Sequence, residues 1–305
     1  MITTTTPIGR FAPTPSGKLH IGNIFAALIA YLSAKSKGGK FLVRIEDLDT
    51  LRCPRSAADE ILSDLDRLGL KPDGEVLYQS ERTEVYKRYA AMLAEKDLLY
   101  PCFCTRSELH AAQAPHLSDG SYVYNGKCAA LSKAEAAKML ESRRACTRVR
   151  VPDAVIDFRD AAMGEYSQNL KSRCGDFIIR RSDGVFAYQL AVVVDDGLSG
   201  VTEVVRGCDL ISSAPRQIWL ARTLGFKPPE YTHIPLLTAP DGRRLSKRDG
   251  DSIESWLLSC SPKEITGILG CAAGLISAPD PVTPDELVPY YAPEKLSKTA
   301  TLPLP

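Results

Sequence analysis

The sequence predicts an α/β fold: a parallel sheet split by an inserted subdomain and followed by a short helical region. Three observations predict it. Arg10 to Asn23 (RFAPTPSGKLHIGN) is a tight loop running into a helix, where Ile21, Ile24, Phe25, Leu28, Ile29 and Leu32 share one face. Lys40 to Ile45 (KFLVRI) then reads as a buried parallel strand, with Glu46, Asp47 and Asp49 at its carboxyl end, where open α/β sheets place ligands. From about Tyr100 to Arg173 the chain changes character, with close-spaced cysteines and arginines, before strand-like runs resume at Asp176. The expected partition is 1–99 for the first half of the sheet, 100–173 for the insertion, 174–250 for the second half and 251–305 for the helical end.

The chemistry of the first loop is local. Pro13 and Pro15 fix the backbone, while Ser16 and Gly17 let a ligand approach the main chain closely. His20 projects just before Gly22, where the helix is expected to start, and Lys35, Lys37, Gly38 and Gly39 end it. Free N–H groups and the dipole of such a helix start form an anion site. Further on, Ser56 to Leu68 and Thr83 to Lys96 read as amphipathic helices covering the sheet, with Tyr78-Gln79-Ser80-Glu81-Arg82 between them.

In the middle stretch, Leu131 to Arg144 reads as a helix and Thr147 to Val151 as a half-exposed strand. Its arginines, with Lys171 and Arg173, are the best local candidates for RNA phosphate contacts. Cys102 and Cys104, with Cys128, supply three donors of a four-ligand metal set. The fourth is open between Tyr124, whose phenolate is an unusual ligand, and His110 or His116, which are chemically the more usual donors. In the second half, Asp176 to Arg181 and the run from Phe186 to Asp196, which holds Tyr188, read as strands. Asp209 to Leu224 reads as a helix and His233 to Leu237 as the last strand of the sheet.

Composition narrows the class. The chain has 305 residues, 44% hydrophobic and 25% charged, with a formal net charge of +1, so any RNA contact must rest on local patches. No apolar run reaches membrane-spanning length and the start lacks a secretory layout. Nine scattered cysteines fit a reducing cytoplasm. A cytoplasmic monomer without membrane contact is expected.

Several of these stretches resemble class I aminoacyl-tRNA synthetases. His20-Ile21-Gly22-Asn23 is similar to the family's HIGH element, and Arg243 to Gly250, containing RLSKR, to its KMSKS loop. RFAPTPSGKLH, Phe41 to Asp49, YQSER, the Cys-x-Cys followed by Tyr-x-x-x-Cys, and VTEVVRGCDL resemble the glutamyl branch, and within it the short glutamyl-Q tRNA(Asp) synthetases. The resemblance implies a Rossmann-type catalytic domain split by a zinc-bearing, acceptor-type α/β subdomain. It implies glutamate bound by Arg10, Phe11, Ala12, Pro13 and Thr14, with Glu46 on the ammonium, Tyr188 in contact, and Arg206 on the side-chain carboxylate. ATP, with Mg²⁺, would be held by His20, Gly22, Asn23 and Lys247, of which His20 and Lys247 would be catalytic. One structural Zn²⁺ would sit on Cys102, Cys104, Tyr124 and Cys128. The implied reaction is tRNA-independent formation of glutamyl-adenylate, then transfer of glutamate to the queuosine base in the anticodon loop of tRNA(Asp).

Two departures stand out. Val192 occupies a position that is often Asn in ordinary glutamyl synthetases, and about 55 residues follow Gly250, too few for a large helical anticodon-binding region. A truncated glutamyl-tRNA synthetase charging the 3′ end of tRNA(Glu), and a catalytically silent RNA-binding paralogue, are the alternative readings.

Overall fold

In the computed structural model, residues 6–105, 107–108, 123–239, 241–243, 245 and 253–303 are described. Ile8–Phe11 (β1) passes through a loop into the helix Ile21–Ser36 (α1), and the chain returns as Lys40–Ile45 (β2), parallel to β1. Arg55–Arg67 (α2) leads to the short strand Leu77–Tyr78 (β3), and Thr83–Glu95 (α3) follows. The α1 helix is apolar on nearly every side, because it packs against the sheet on one face and the C-terminal region on another.

The middle stretch serves two sheets. Leu99–Cys102 (β4), Cys146–Val149 (β5) and, later, Phe177–Arg180 (β8) make a three-stranded antiparallel sheet. Between β5 and β8, the hairpin Val155–Asp160 (β6) and Gly164–Asn169 (β7) joins the edge of the main sheet. Glu203–Gly207 (β9) and Glu230–Ile234 (β10) complete that sheet, whose order is β3-β2-β1-β9-β10-β6-β7. All its neighbours are parallel except β6 and β7.

Several sequence expectations change. The run from Phe186 to Asp196 is not a strand: Tyr188–Leu198 is a helix, and Gln189 through Asp196 are all buried in it. A continuous apolar run fits a buried helix as well as a buried strand, and β-branched Val192, Val193 and Val194 bias the reading toward strand. The expected final strand is broken at Pro235. β10 ends at Ile234, and Leu236–Thr238 (β11) leaves to pair with Thr301–Pro303 (β12). The helix expected from Leu131 is shorter, Lys133–Leu140, started by the Ser132 cap with Glu135. That expected from Asp209 opens as a 3₁₀ turn, Cys208–Ser213, before the helix Ala214–Thr223. The end of the chain folds back on α1, where Tyr31 donates to Asp285 at 2.5 Å and Leu287 is fully buried.

Candidate active site

The strand order turns at β1, with β2 on one side and β9 on the other, and a crevice opens beyond the carboxyl ends of such strands. A cleft of about 660 Å³ lies there, lined by Arg10 through Thr14, His20, Asn23, Glu46, Tyr188 and Arg206 among others. Arg10 comes from β1, Glu46 from the residue after β2, and Arg206 from β9, so three adjacent strands deliver three charges to one opening. The Glu46 N–H donates to the Pro13 carbonyl at 2.9 Å, tying the proline loop to the end of β2. Tyr188 reaches the cleft because it is the first residue of its helix.

The side of the cleft near Glu46 is a closed charge network. Asp196 accepts from Arg10 Nε at 3.2 Å and from Arg44 Nη1 at 2.5 Å, while Arg44 Nη2 donates to Glu46 at 3.2 Å. Burial pushes the Asp196 carboxyl up, but Arg44 and Arg10 outweigh it and hold it below the usual carboxylate range. For Glu46 burial wins, and its carboxyl is raised despite the same two arginines. The neighbouring Asp195, fully buried, accepts from Gln79, Arg82 and Tyr86 at 2.7–2.8 Å and so locks the helix against the start of α3. Sequence reasoning missed Arg44 and Asp196. Their signal was a charged residue inside an otherwise apolar run, FLVRI and VVVDD, which buries it and forces a partner.

Arg206 is treated differently. Its Nε donates to His233 Nε2 at 3.1 Å, Nη1 to Gln217 Oε1 at 2.7 Å and Nη2 to the Leu210 carbonyl at 3.3 Å. His233, its cross-strand neighbour on β10, is itself held by Asp160 at 2.6 Å. Burial lowers the His233 pKa, and Arg206 adds to the effect against the pull of Asp160.

The phosphate side is built on the start of α1. His20 precedes the helix, its N–H donating to Asn23 Oδ1 at 3.0 Å. A side chain at Gly22 would crowd His20: a Cβ there would stand 3.0 Å from the imidazole ring, which would have to shift, and 3.6 Å from Leu245. Leu245, buried and two residues before Lys247, therefore stands against the HIGN element. Lys247 itself lies outside the described residues, as do His110 and His116.

Away from the cleft, the Sγ atoms of Cys102, Cys104 and Cys128 lie within 4.8 Å of one another. Cys104 Sγ is 3.6 Å from both Cys128 Sγ and the Tyr124 hydroxyl oxygen, and the Cys128 N–H donates to that oxygen at 2.6 Å. Thiolates on a tetrahedral zinc, with Zn–S near 2.3 Å, stand roughly 3.8 Å apart, so this donor set fits such an ion. A hydrogen bond from Cys146 is the largest influence on Cys102, whose thiol is pulled down to about 4. None of the nine cysteines is in a disulfide.

Two arginines of the middle stretch turn inward. Arg148 is buried, with its guanidinium 3.9 Å from the Tyr124 ring centre and donating to the Asp176 carbonyl, so it cannot serve as an RNA phosphate contact. Arg150 stacks on Tyr100 and donates to Ala129. Arg144, Lys171 and Arg173 remain exposed.

The catalytic-domain family described as tRNA synthetases class I (E and Q) matches residues 8–259. A relative from Geobacter sulfurreducens named glutamyl-Q tRNA(Asp) synthetase is 48% identical over 244 residues, 79% of this chain and 76% of the relative. Its namesake from Symbiobacterium thermophilum is 43% identical over 297 residues, 93% and 91% of the two chains. The chain belongs to the glutamyl-Q tRNA(Asp) synthetase family of class I tRNA synthetases. Among solved structures, a glutamate tRNA ligase from Elizabethkingia meningosepticum in complex with its amino acid superposes with a TM-score of 0.84 at 28% identity, covering 99% of this chain and 67% of that one. A methionyl-tRNA synthetase from Mycobacterium tuberculosis reaches 0.56 at 11% identity, covering 87% and 64% of the two chains, which speaks for the class I fold alone. Class I synthetases are ligases that use ATP with Mg²⁺, and among the described residues no helix is long and apolar enough to cross a membrane.

Proposed function

We propose that this chain activates glutamate with ATP and transfers it to the queuosine base in the anticodon loop of tRNA(Asp). The observation that carries the reading is the cleft, where a carboxylate and an arginine stand on opposite sides of the β1 end, in a chain 43–48% identical to relatives of that name. Free glutamate carries one ammonium and two carboxylates. Glu46 takes the ammonium and Arg206 the side-chain carboxylate, leaving the α-carboxylate to face the start of α1. Tyr188 closes the pocket and Arg10 through Thr14 form its floor.

In the first step an α-carboxylate oxygen attacks the α-phosphorus of ATP and pyrophosphate leaves. No covalent protein nucleophile is needed; alignment and charge neutralisation carry the step. His20 and the N–H groups around Gly22 and Asn23 bind phosphate oxygens. Lys247 is assigned to the leaving pyrophosphate, and Leu245 packing against the HIGN element supports that assignment. Mg²⁺ bound with ATP shares the phosphate charge. In the second step a queuosine hydroxyl attacks the mixed anhydride and AMP leaves. Cys102, Cys104, Cys128 and Tyr124 would hold a Zn²⁺ whose role would be structural, fixing the middle stretch.

The test is glutamate labelling of tRNA(Asp) from cells with and without queuosine. Label on the queuosine-bearing tRNA alone is the expected result. Label on the 3′ end of unmodified tRNA(Glu) would favour a truncated glutamyl-tRNA synthetase, and no glutamate-dependent ATP–pyrophosphate exchange would mean a silent paralogue.

A further inference from the structure

An arginine that binds a substrate carboxylate has to be fixed in place without having its charge cancelled. The partners of Arg206 meet both conditions. All three of its acceptors among the described residues, His233 Nε2, Gln217 Oε1 and the Leu210 carbonyl, are uncharged groups. They take three of the five N–H groups of the guanidinium. One N–H remains on each of Nη1 and Nη2 to meet a carboxylate.

The neutrality is enforced from behind. Because Arg206 Nε donates to His233 Nε2, that nitrogen has no proton, so the ring hydrogen sits on Nδ1 and points at Asp160 Oδ2, 2.6 Å away. Asp160 is fixed in turn by the N–H groups of Ala162, Met163 and His233. Gln217 is oriented by donating to Gln189 Oε1 at 2.9 Å, which sets its oxygen toward Arg206. His233 and Asp160 are fully buried and Gln217 nearly so, which shields these contacts from bulk water.

We propose that His233, held in its Nδ1–H form by Asp160, and Gln217 are positioning residues that present Arg206 with its charge uncompensated, and that they thereby set the preference for glutamate over glutamine. The proposal rests on the reading that Arg206 contacts the substrate side chain. A carboxylate supplies the missing counter-charge; a neutral amide leaves a buried cation unpaired.

Gln217→Glu is the decisive variant, because it changes a charge at nearly constant shape. The measurement is glutamate-dependent ATP–pyrophosphate exchange on the full chain, with thermal unfolding and the KM for ATP as checks on folding. The KM for glutamate is expected to rise at least about tenfold with kcat little changed, and the glutamate-over-glutamine ratio to fall by a similar factor. His233→Gln keeps an acceptor within reach of Arg206 and should hold the KM close to wild type, whereas His233→Leu should raise it. A Gln217→Glu enzyme whose KM for glutamate stays within about twofold of wild type overturns the proposal, as do equal effects of the two His233 variants. Arg206→Ala separates the two levels of the argument: if it leaves the KM for glutamate unchanged, the assignment of Arg206 to the substrate is itself wrong.

Discussion

Arg10 and Arg206 line the same cleft, yet their charges are handled in opposite ways. Arg10 shares Asp196 with Arg44, and Arg44 also holds Glu46, so two cations and two anions close on themselves. Arg206 is surrounded by neutral acceptors. The first arrangement is a rigid frame whose charges are largely satisfied; the second keeps a full charge in reserve for a ligand. A guanidinium on a sheet thus becomes scaffold or binding group according to whether its buried neighbours are carboxylates or neutral oxygens and nitrogens.

The largest way to break this contrast is on the scaffold side. Asp196→Asn leaves two buried guanidinium groups without their shared anion, and breaking a buried pair in this way costs about 3–5 kcal/mol of folding stability. A sharp fall in Tm is expected before any kinetic effect is read. The sign with pH follows from the depressed carboxyl. The stability Asp196 contributes is present above the unfolded-state value near about 3.9 and disappears as acid carries the pH down through the lower folded value. In Asp196→Asn that part of the acid transition should be missing.

The next effect is on the binding side. Arg206→Ala leaves the glutamate carboxylate unpaired in the cleft and should weaken glutamate binding by about 2–5 kcal/mol, with far less change in Tm than Asp196→Asn. If both variants lose stability alike, the contrast between frame and binding group fails. Glu46 lies between the two extremes. Burial raises its carboxyl above the ordinary range, and the ionised form is the one that attracts an ammonium. Glutamate affinity should therefore drop as the pH is lowered toward that raised value, and Glu46→Gln should flatten the profile while weakening binding at neutral pH. The smallest effect lies outside the cleft: Cys104→Ser should reduce bound zinc, read by metal analysis, and lower Tm through the middle stretch.

Much of this architecture was legible in the sequence. The proline loop, α1 and β2 are local features, where periodicity, helix start and strand end lie within one stretch, and the structure keeps β2 at Lys40–Ile45. The glutamate-side residues followed from the resemblance to the glutamyl branch, and Arg10 through Thr14, Glu46, Tyr188 and Arg206 do line one cleft. What escaped was everything decided by long-range pairing. Asp196 lies 152 residues from Arg44 and 186 from Arg10. Asp160, which sets the tautomer behind Arg206, comes from the hairpin that the inserted stretch lends to the main sheet, 73 residues before His233. Arg148 looked like a surface cation because alternation along Thr147 to Val151 suggested one wet face, whereas the Tyr124 ring and Asp176 cover it. Tyr188 was placed on a strand because a wholly buried helix carries no periodic signal to separate it from one.

The most direct test of the account is a crystal structure of the chain with a non-hydrolysable glutamyl-adenylate analogue. The account predicts the side-chain carboxylate on the two free N–H groups of Arg206, the ammonium beside Glu46, and the phosphate at His20 and the start of α1. An analogue bound with its side chain turned away from Arg206, or lying outside this cleft, would contradict it.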